Sequence, residues 1–269
     1  MLKAKISKRL ISLSLVFVIL LSALPISAIA AEINSDDQFD KGTYSILADD
    51  NAVNTYIQNK YAEHSNVVIT DKVRHTPLDT KNYDQTDLND HFNDYQNNLF
   101  ANDIQGSCTI VAVTIITEYM LRTGKVTSDT PYDVNGLFHR AAEAGKTCGW
   151  DGVSGVFIPT QGLIITAAMS YYTPAYVGDY SVFNIHAKYM DSYYAGVPIL
   201  VSLGGHSVCG VGIIEKTVTY KKSGLFGGTK TALETFIIVN DGWHDSEAGE
   251  SKYQYVPFDD IASIVVPKL

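Results

Sequence analysis

The chain has 269 residues, three cysteines and a formal net charge of −9, and these values exclude several classes of protein. The length fits one large domain, or a medium-sized domain with an extension. The acidic balance argues against a nucleic-acid partner and against charge-driven binding to anionic lipid. Three cysteines are too few for a disulfide-stapled secreted scaffold.

Residues 1–31 have the three-part pattern of a secretory signal peptide. Four basic residues begin the segment, an apolar run covers Leu10–Leu24, and small residues at Ser27–Ala31 form a cleavage region. The apolar run is shorter than the ~20 residues that a spanning helix needs, which argues against a retained membrane anchor. We expect a secreted protein, free or associated with the cell surface. The mature chain would carry 16 basic and 29 acidic residues, a formal charge of −13.

Residues 32–90 form a polar arm, rich in Asn, Asp, Tyr and Gln. Ala52–Tyr61 is compatible with a short helix and Asn66–Thr70 with a strand. The arm cannot bury a sizeable core alone, so it is a propeptide, an arm that packs on the following domain, or a spacer. We assign residues 91–269 to the principal domain.

The next element is a helix that begins at a cysteine. A polar stretch, Asn102–Ser107, precedes Cys108, and an apolar run follows it. Ser107 as N-cap and Gly124 as C′ residue predict a helix of about four turns. The helix is apolar on nearly every side, which indicates a buried central helix. In its first turn, free N–H groups and the helix dipole favour thiolate over thiol. A lone cysteine is more commonly a small apolar core residue.

Three more helices are predicted before the pattern changes to strands. The helices cover residues 134–144, 160–172 and 182–195. The strands cover residues 199–203, 207–214, 216–221, 233–239, 253–258 and 264–266, with a glycine-rich hairpin loop at 223–229. Helices followed by antiparallel strands are the order of an α+β fold.

Three polar positions could form a catalytic set with the helix. His206 lies between two predicted strands, so its ring should project from a sheet edge. Asn240 and Asp241 end the strand that the hairpin brings beside the histidine strand. A Cys–His nucleophilic pair needs the imidazole within hydrogen-bond reach of the sulfur, and a third group that orients the ring. Cys108, His206 and either Asn240 or Asp241 are therefore the candidate catalytic residues.

Three short motifs resemble those of the papain-like cysteine peptidase superfamily: Gln105–Cys108 before a helix, Gly205–Ser207 before a strand, and Val239–Trp243. The likeness is to secreted bacterial members, similar to streptopain and to the double-glycine leader peptidases, and it extends from about Asp87 to the C terminus. The resemblance implies a papain-like α+β fold, in which an N-terminal helical part with a central cysteine helix packs on an antiparallel β-sheet.

The resemblance also implies residue roles. Cys108 would be the nucleophile, His206 the general base and acid, and Asn240 the orienting residue. Asp241 is the alternative, because leader peptidase-like members use an aspartate. Trp243 would shield the orienting pair from water.

The oxyanion donor is less clearly marked. The glutamine of the family usually lies five or six residues before the cysteine. Here Gln105 lies three residues before Cys108 and Asn102 lies six before it, so the choice between these amides stays open. The backbone N–H of Cys108 is a donor with either amide.

The sequence thus predicts a secreted cysteine peptidase that hydrolyses a protein or peptide substrate through an acyl-enzyme. The alternatives are a non-catalytic surface binding module and an acyl transferase of the cell-wall amidase or transglutaminase type. No cofactor and no metal are expected, because His139, Cys148, Cys209 and His244 show no CxxC or HExxH spacing. A Cys148–Cys209 disulfide is left open.

Overall fold

The computed structural model describes residues 44–95, 99–173, 176–222, 228–242 and 253–268. The predicted signal peptide, the hairpin loop at 223–227, Trp243 and His244 lie outside these ranges. Six α-helices and seven strands are found in the described residues, which confirms the α+β class. The helices are α1 Asp50–Lys60, α2 Gln85–Tyr95, α3 Cys108–Arg122, α4 Val134–Thr147, α5 Gln161–Ser170 and α6 Ile185–Tyr194. The strands are β1 Ser65–Arg74, β2 Val177–Ser181, β3 Ile199–Ser202, β4 Ser207–Lys221, β5 Thr229–Asn240, β6 Gln254–Pro257 and β7 Ser263–Lys268.

The seven strands form one antiparallel sheet: six follow the order β2-β7-β3-β4-β5-β6, and β1 lies off this path, paired with β4. Strand β4 is the longest, and it pairs with β3 at its beginning and with β1 at its end. Strand β5 runs along its other side, with Cys209 opposite Asn240. Because the pairing is antiparallel, the residues before β4 and those after β5 meet at one edge of the sheet.

The cysteine helix α3 is the centre of the core, as the sequence predicts. Every residue from Thr109 to Leu121 is buried, and the helix packs on α4, α5, β3 and β4. Gly124 has a φ of +69°, a left-handed conformation that a side chain would disfavour, so it serves as the predicted C′ glycine. Ser107 is the N-cap residue, but its hydroxyl makes no capping bond to the helix.

Two predictions about the strands were wrong. Residues 207–214 and 216–221, predicted as two strands, form one continuous strand in which Glu215 pairs with both β1 and β5. The Lys216 ammonium group of this strand is almost buried and bonds to Asp71 of β1 at 2.6 Å. Strand β2 was not predicted, since Val177–Ser181 is short and contains glycine and aspartate. Its backbone hydrogen bonds come from pairing with β7, a long-range contact that the local sequence does not indicate.

Residues from the polar arm are part of this fold. Helix α1 contributes Val53 and Ile57, both fully buried in the main core. Strand β1 extends the sheet, and the boundary expected between residues 90 and 91 falls within α2. No helix among the described residues has the length and apolar character that a membrane crossing requires.

Candidate active site

Cys108 is the first residue of α3, at the point where the helix emerges from the core. The preceding residue, Ser107, is fully buried and its hydroxyl donates to Asn89 Oδ1 on α2 at 2.5 Å. The following residue, Thr109, donates from its hydroxyl to Ser207 Oγ at 2.9 Å. Both neighbours of Cys108 are therefore fixed by buried side-chain bonds, while Cys108 itself keeps partial exposure.

A buried glutamine extends this network under the cysteine. Gln161, at the start of α5, is 1% exposed. Its Nε2 donates to Ser207 Oγ at 3.0 Å, and its Oε1 accepts a bond from the Ser202 hydroxyl. The network joins α3, α5, β3 and β4, so a shift of one element would leave buried polar atoms unpaired, at a cost of about 1–3 kcal/mol each.

Burial raises the pKa of the Cys108 thiol, although hydrogen bonds from the backbone and hydroxyl groups of Ser207 and Thr109 lower it in part. Desolvation disfavours the thiolate more than these hydrogen bonds favour it.

His206 lies in the turn between β3 and β4, as predicted. The Leu203 N–H donates to His206 O at 2.8 Å and closes this turn. The residue is 8% exposed, and this burial lowers the pKa of its imidazole, while the carboxylate of Asp241 raises it in part. The ring of Tyr44 stacks on the imidazole, with 6.1 Å between the ring centroids and 22° between the planes.

The two candidate orienting residues have different surroundings. Asn240 is fully buried, and its Nδ2 donates to Lys81 O at 2.9 Å and to Thr80 Oγ1 at 3.3 Å. Its side chain therefore holds the segment before α2. Asp241 interacts electrostatically with His206. Successive side chains of an extended chain point to opposite sides, so the geometry favours Asp241 over Asn240 as the partner of the imidazole.

A cleft of about 590 Å³ brings the candidate residues together. Cys108 and His206 both line it, although 98 residues separate them in the sequence. The described lining residues include no Asp, Glu, Lys or Arg. They are Tyr44, Ile46, Gln85, Gln105, Gly106, Cys108, Val153, Gly155, Gly205 and His206.

Glycine at position 106 allows one wall of the cleft to approach the cysteine. A Cβ atom there would lie 2.5 Å from Val153 O, closer than any real Cβ contact. The wall is a loop in which Asp151 Oδ1 accepts from the Val153 and Ser154 N–H groups, and Trp150 Nε1 donates to Ser154 O at 2.7 Å. The loop is thus a preformed side of the cleft.

Gln85 is a site residue that sequence analysis missed. It is the first residue of α2, it is 3% exposed, and it lines the cleft. Its Nε2 donates to Gln105 O at 3.0 Å, whereas its buried Oε1 has no hydrogen-bond partner among the described residues. The sequence does contain an indication of helix α2. Asp84 Oδ1 accepts from the Thr86 N–H at 2.6 Å, as the side chain of an N-cap residue does. Apolar residues at a spacing of four then follow.

The two amides expected from the sequence are placed differently. Gln105 lines the cleft with an exposed side chain, and its carbonyl oxygen accepts bonds from Gln85 and from Asn89 Nδ2. Asn102 is exposed and is not among the described lining residues. Gln85 is therefore the buried amide among the described lining residues of the cleft.

The other cysteines stay apart from the cleft and from each other. Cys148 and Cys209 are both free, so the disulfide left open by the sequence is not formed. Cys209 is fully buried in β4, and burial raises the pKa of its thiol strongly. Among the described residues, no three His, Cys, Asp or Glu side chains group as metal ligands.

No protein-family model, no curated protein and no solved structure matches this chain. Cys108 at the helix start, His206 at the sheet edge and the buried Gln85 amide all line the cleft, and Asp241 interacts with the imidazole without being among the described lining residues.

Proposed function

We propose that the protein is a secreted cysteine peptidase. One observation carries the proposal: Cys108 and His206 line the same cleft, and Asp241 interacts with the imidazole. An activated nucleophile needs a base beside it and a third group that orients the base, and we assign these roles to Cys108, His206 and Asp241. Export is supported by the signal-peptide pattern of residues 1–31.

The pKa directions favour a neutral resting pair over an ion pair. The pKa of Cys108 is raised and that of His206 is lowered, so neither group is charged before substrate binds. In the first step His206 takes the thiol proton while the sulfur attacks the substrate carbonyl carbon. The negative charge on the carbonyl oxygen is stabilised by the Cys108 backbone N–H and the Gln85 amide.

The remaining steps return the enzyme to its starting state. Protonated His206 gives its proton to the leaving amine, the C–N bond breaks, and a thioester with Cys108 remains. A water molecule then loses a proton to His206 and attacks the thioester. The acid product leaves, and the sulfur recovers its proton. Asp241 keeps the imidazole oriented and stabilises its charged form.

Hydrolysis of casein by the secreted protein and by the Cys108→Ala variant tests the proposal. We expect the variant to lose hydrolysis and to keep its thermal unfolding midpoint. Cys148→Ala is the matched control, because Cys148 is also a free, partly exposed cysteine but does not line the cleft. Hydrolysis that survives Cys108→Ala would refute the proposal.

A second candidate is a non-catalytic binding module of the same fold, and the raised pKa of the Cys108 thiol favours it. This candidate predicts a sulfur that does not react with a peptidyl epoxide. The acyl transferase alternatives use the same acyl-enzyme, and turnover of purified peptidoglycan against casein separates them from a peptidase.

A further inference from the structure

We infer that Tyr44 is a positioning residue for His206, and that the segment Tyr44–Leu47 is a permanent wall of the active-site cleft. The inference rests on the proposed catalytic role of the Cys108–His206 pair. It assigns to the N-terminal arm a function in the active protein, whereas a propeptide would be removed before activity.

The contacts of Tyr44 place its ring on the imidazole and on the turn that carries it. The ring centroids of Tyr44 and His206 lie 6.1 Å apart at an interplanar angle of 22°, which is a stacked arrangement. A Cβ atom on Gly205 would lie 3.8 Å from Tyr44 Cε1, so the ring also lies beside the residue before the histidine. Tyr44 thus restricts the orientation of the imidazole from the side that faces the cleft.

The backbone of the segment is attached to the end of the sheet. Leu47 N–H donates to Tyr255 O at 2.8 Å, and Tyr255 N–H donates to Leu47 O at 2.9 Å. The Ser45 N–H donates to Asp260 Oδ2 at 2.8 Å. Two reciprocal backbone hydrogen bonds and one charge-assisted hydrogen bond thus hold the four residues Tyr44–Leu47 against the end of the sheet, as expected of a permanent contact.

The segment Tyr44–Leu47 lines one side of the cleft but does not occupy its volume. Tyr44 and Ile46 are both lining residues, and a volume of about 590 Å³ remains beside them. Directly after the segment, Asp49 caps helix α1, whose buried residues belong to the main core. Removal of the segment would therefore open the cleft on one side, and any maturation cut in an active protein must fall before Tyr44.

Tyr44 also contributes to the water exclusion around the imidazole. Asp241 and Tyr44 interact with His206, and Cys108 lines the same cleft. Burial raises the pKa of the Tyr44 phenol, and the Cys108 sulfur raises it further, so the ring is neutral across the working range. Loss of the ring would hydrate His206 and raise its pKa towards the ordinary value near 6.5.

The test is the rate at which iodoacetamide alkylates Cys108, measured by peptide mass spectrometry between pH 5 and 9 in the full-length secreted protein. For Tyr44→Ala we expect the alkylation rate to fall by about tenfold or more. We also expect the acid limb of the pH–rate profile, where the rate falls as His206 is protonated, to lie at higher pH than in the wild type. Tyr44→Phe should match the wild type, since it keeps the ring. Phe183→Ala is the control, because Phe183 is exposed and does not line the cleft.

The outcomes separate this inference from the proposed function. An unreactive Cys108 in the wild type defeats the proposed function itself. A reactive Cys108 whose pH profile is the same in Tyr44→Ala defeats only the role of Tyr44, and so does a Tyr44→Ala variant that reacts faster. If Tyr44→Ala does not fold, Tyr44→Leu, whose smaller side chain covers less of the imidazole and cannot stack on it, should displace the limb in the same direction by a smaller amount, and an undisplaced limb overturns the inference.

Discussion

The hydroxyl of Thr109 donates a hydrogen bond to Ser207 Oγ at 2.9 Å, and so joins the residue after Cys108 to the residue after His206. Two elements that are distant in the sequence are thereby held in register at the site. Loss of this buried bond removes one donor to Ser207 Oγ, which still accepts from Gln161 Nε2 at 3.0 Å. The bond therefore holds the start of α3, which carries Cys108, beside the start of β4, which follows His206.

We predict that Thr109→Val lowers kcat/KM by about tenfold or more and the free energy of unfolding by about 1–2 kcal/mol. Thr114→Val is the matched control: Thr114 lies on the same buried helix, but its hydroxyl bonds to Ile110 O within the helix. It should lose comparable stability and keep its activity. Equal losses of activity in both variants would show that the Thr109–Ser207 bond has no special role.

Gln85 is expected to supply the side-chain donor for the oxyanion. Gln85→Ala should lower kcat by about 10²–10³ with little change in KM, because the interaction is made in the transition state. Gln105→Ala should have a much smaller effect, since its side chain is exposed and its backbone carbonyl makes the structural bonds. Steady-state kinetics of both variants decides between them, and the reverse ranking would restore Gln105 as the donor.

Asp241 is expected to raise the pKa of the His206 imidazole. Its carboxylate raises the pKa of His206, so Asp241→Asn should lower that pKa and move the acid limb of kcat/KM to lower pH, with a reduced maximum. Asn240→Ala should instead lower stability by about 1–3 kcal/mol, through its lost bonds to Lys81 and Thr80, and leave the limb in place. A displaced limb in Asn240→Ala alone would assign the orienting role to Asn240.

The buried histidines should make the fold sensitive to mild acid. Burial lowers the pKa of His206 and also that of His139, so each binds a proton more readily when unfolded. Stability contributed by the neutral rings is present above the unfolded pKa near 6.5, and is lost as pH falls through the lower folded values. Urea unfolding at pH 7 and pH 5 should show a loss that the His139→Gln/His206→Gln variant lacks. An equal loss in that variant would assign the effect to other groups.

The sequence was sufficient to predict the parts of the site that local pattern determines. The helix start at Cys108 and the turn at His206 follow from short motifs, and the hairpin connection places Asn240 and Asp241 beside β4. Gln85 was missed because helix α2 is mostly polar. Only its N-cap residue and two apolar residues distinguish it from the rest of the polar arm. The burial of Gln85 comes from packing on the rest of the domain.

Long-range contacts account for most of what the sequence could not predict. Tyr44 reaches the site through backbone bonds between Leu47 and Tyr255, and no side-chain pattern encodes such bonds. The continuity of β4 through Glu215 comes with backbone pairing to β1 on one side and β5 on the other. The raised pKa of Cys108 likewise reflects burial by several elements, which outweighs the helix-start effect that the sequence predicts.

The most direct measurement is intact-protein and peptide mass spectrometry after incubation with a peptidyl epoxide, in the wild type and in His206→Ala. The account predicts a single adduct on Cys108 in the wild type, no adduct on Cys148 or Cys209, and strongly slowed labelling in His206→Ala. A wild-type Cys108 that stays unlabelled, or labelling that does not depend on His206, would contradict it.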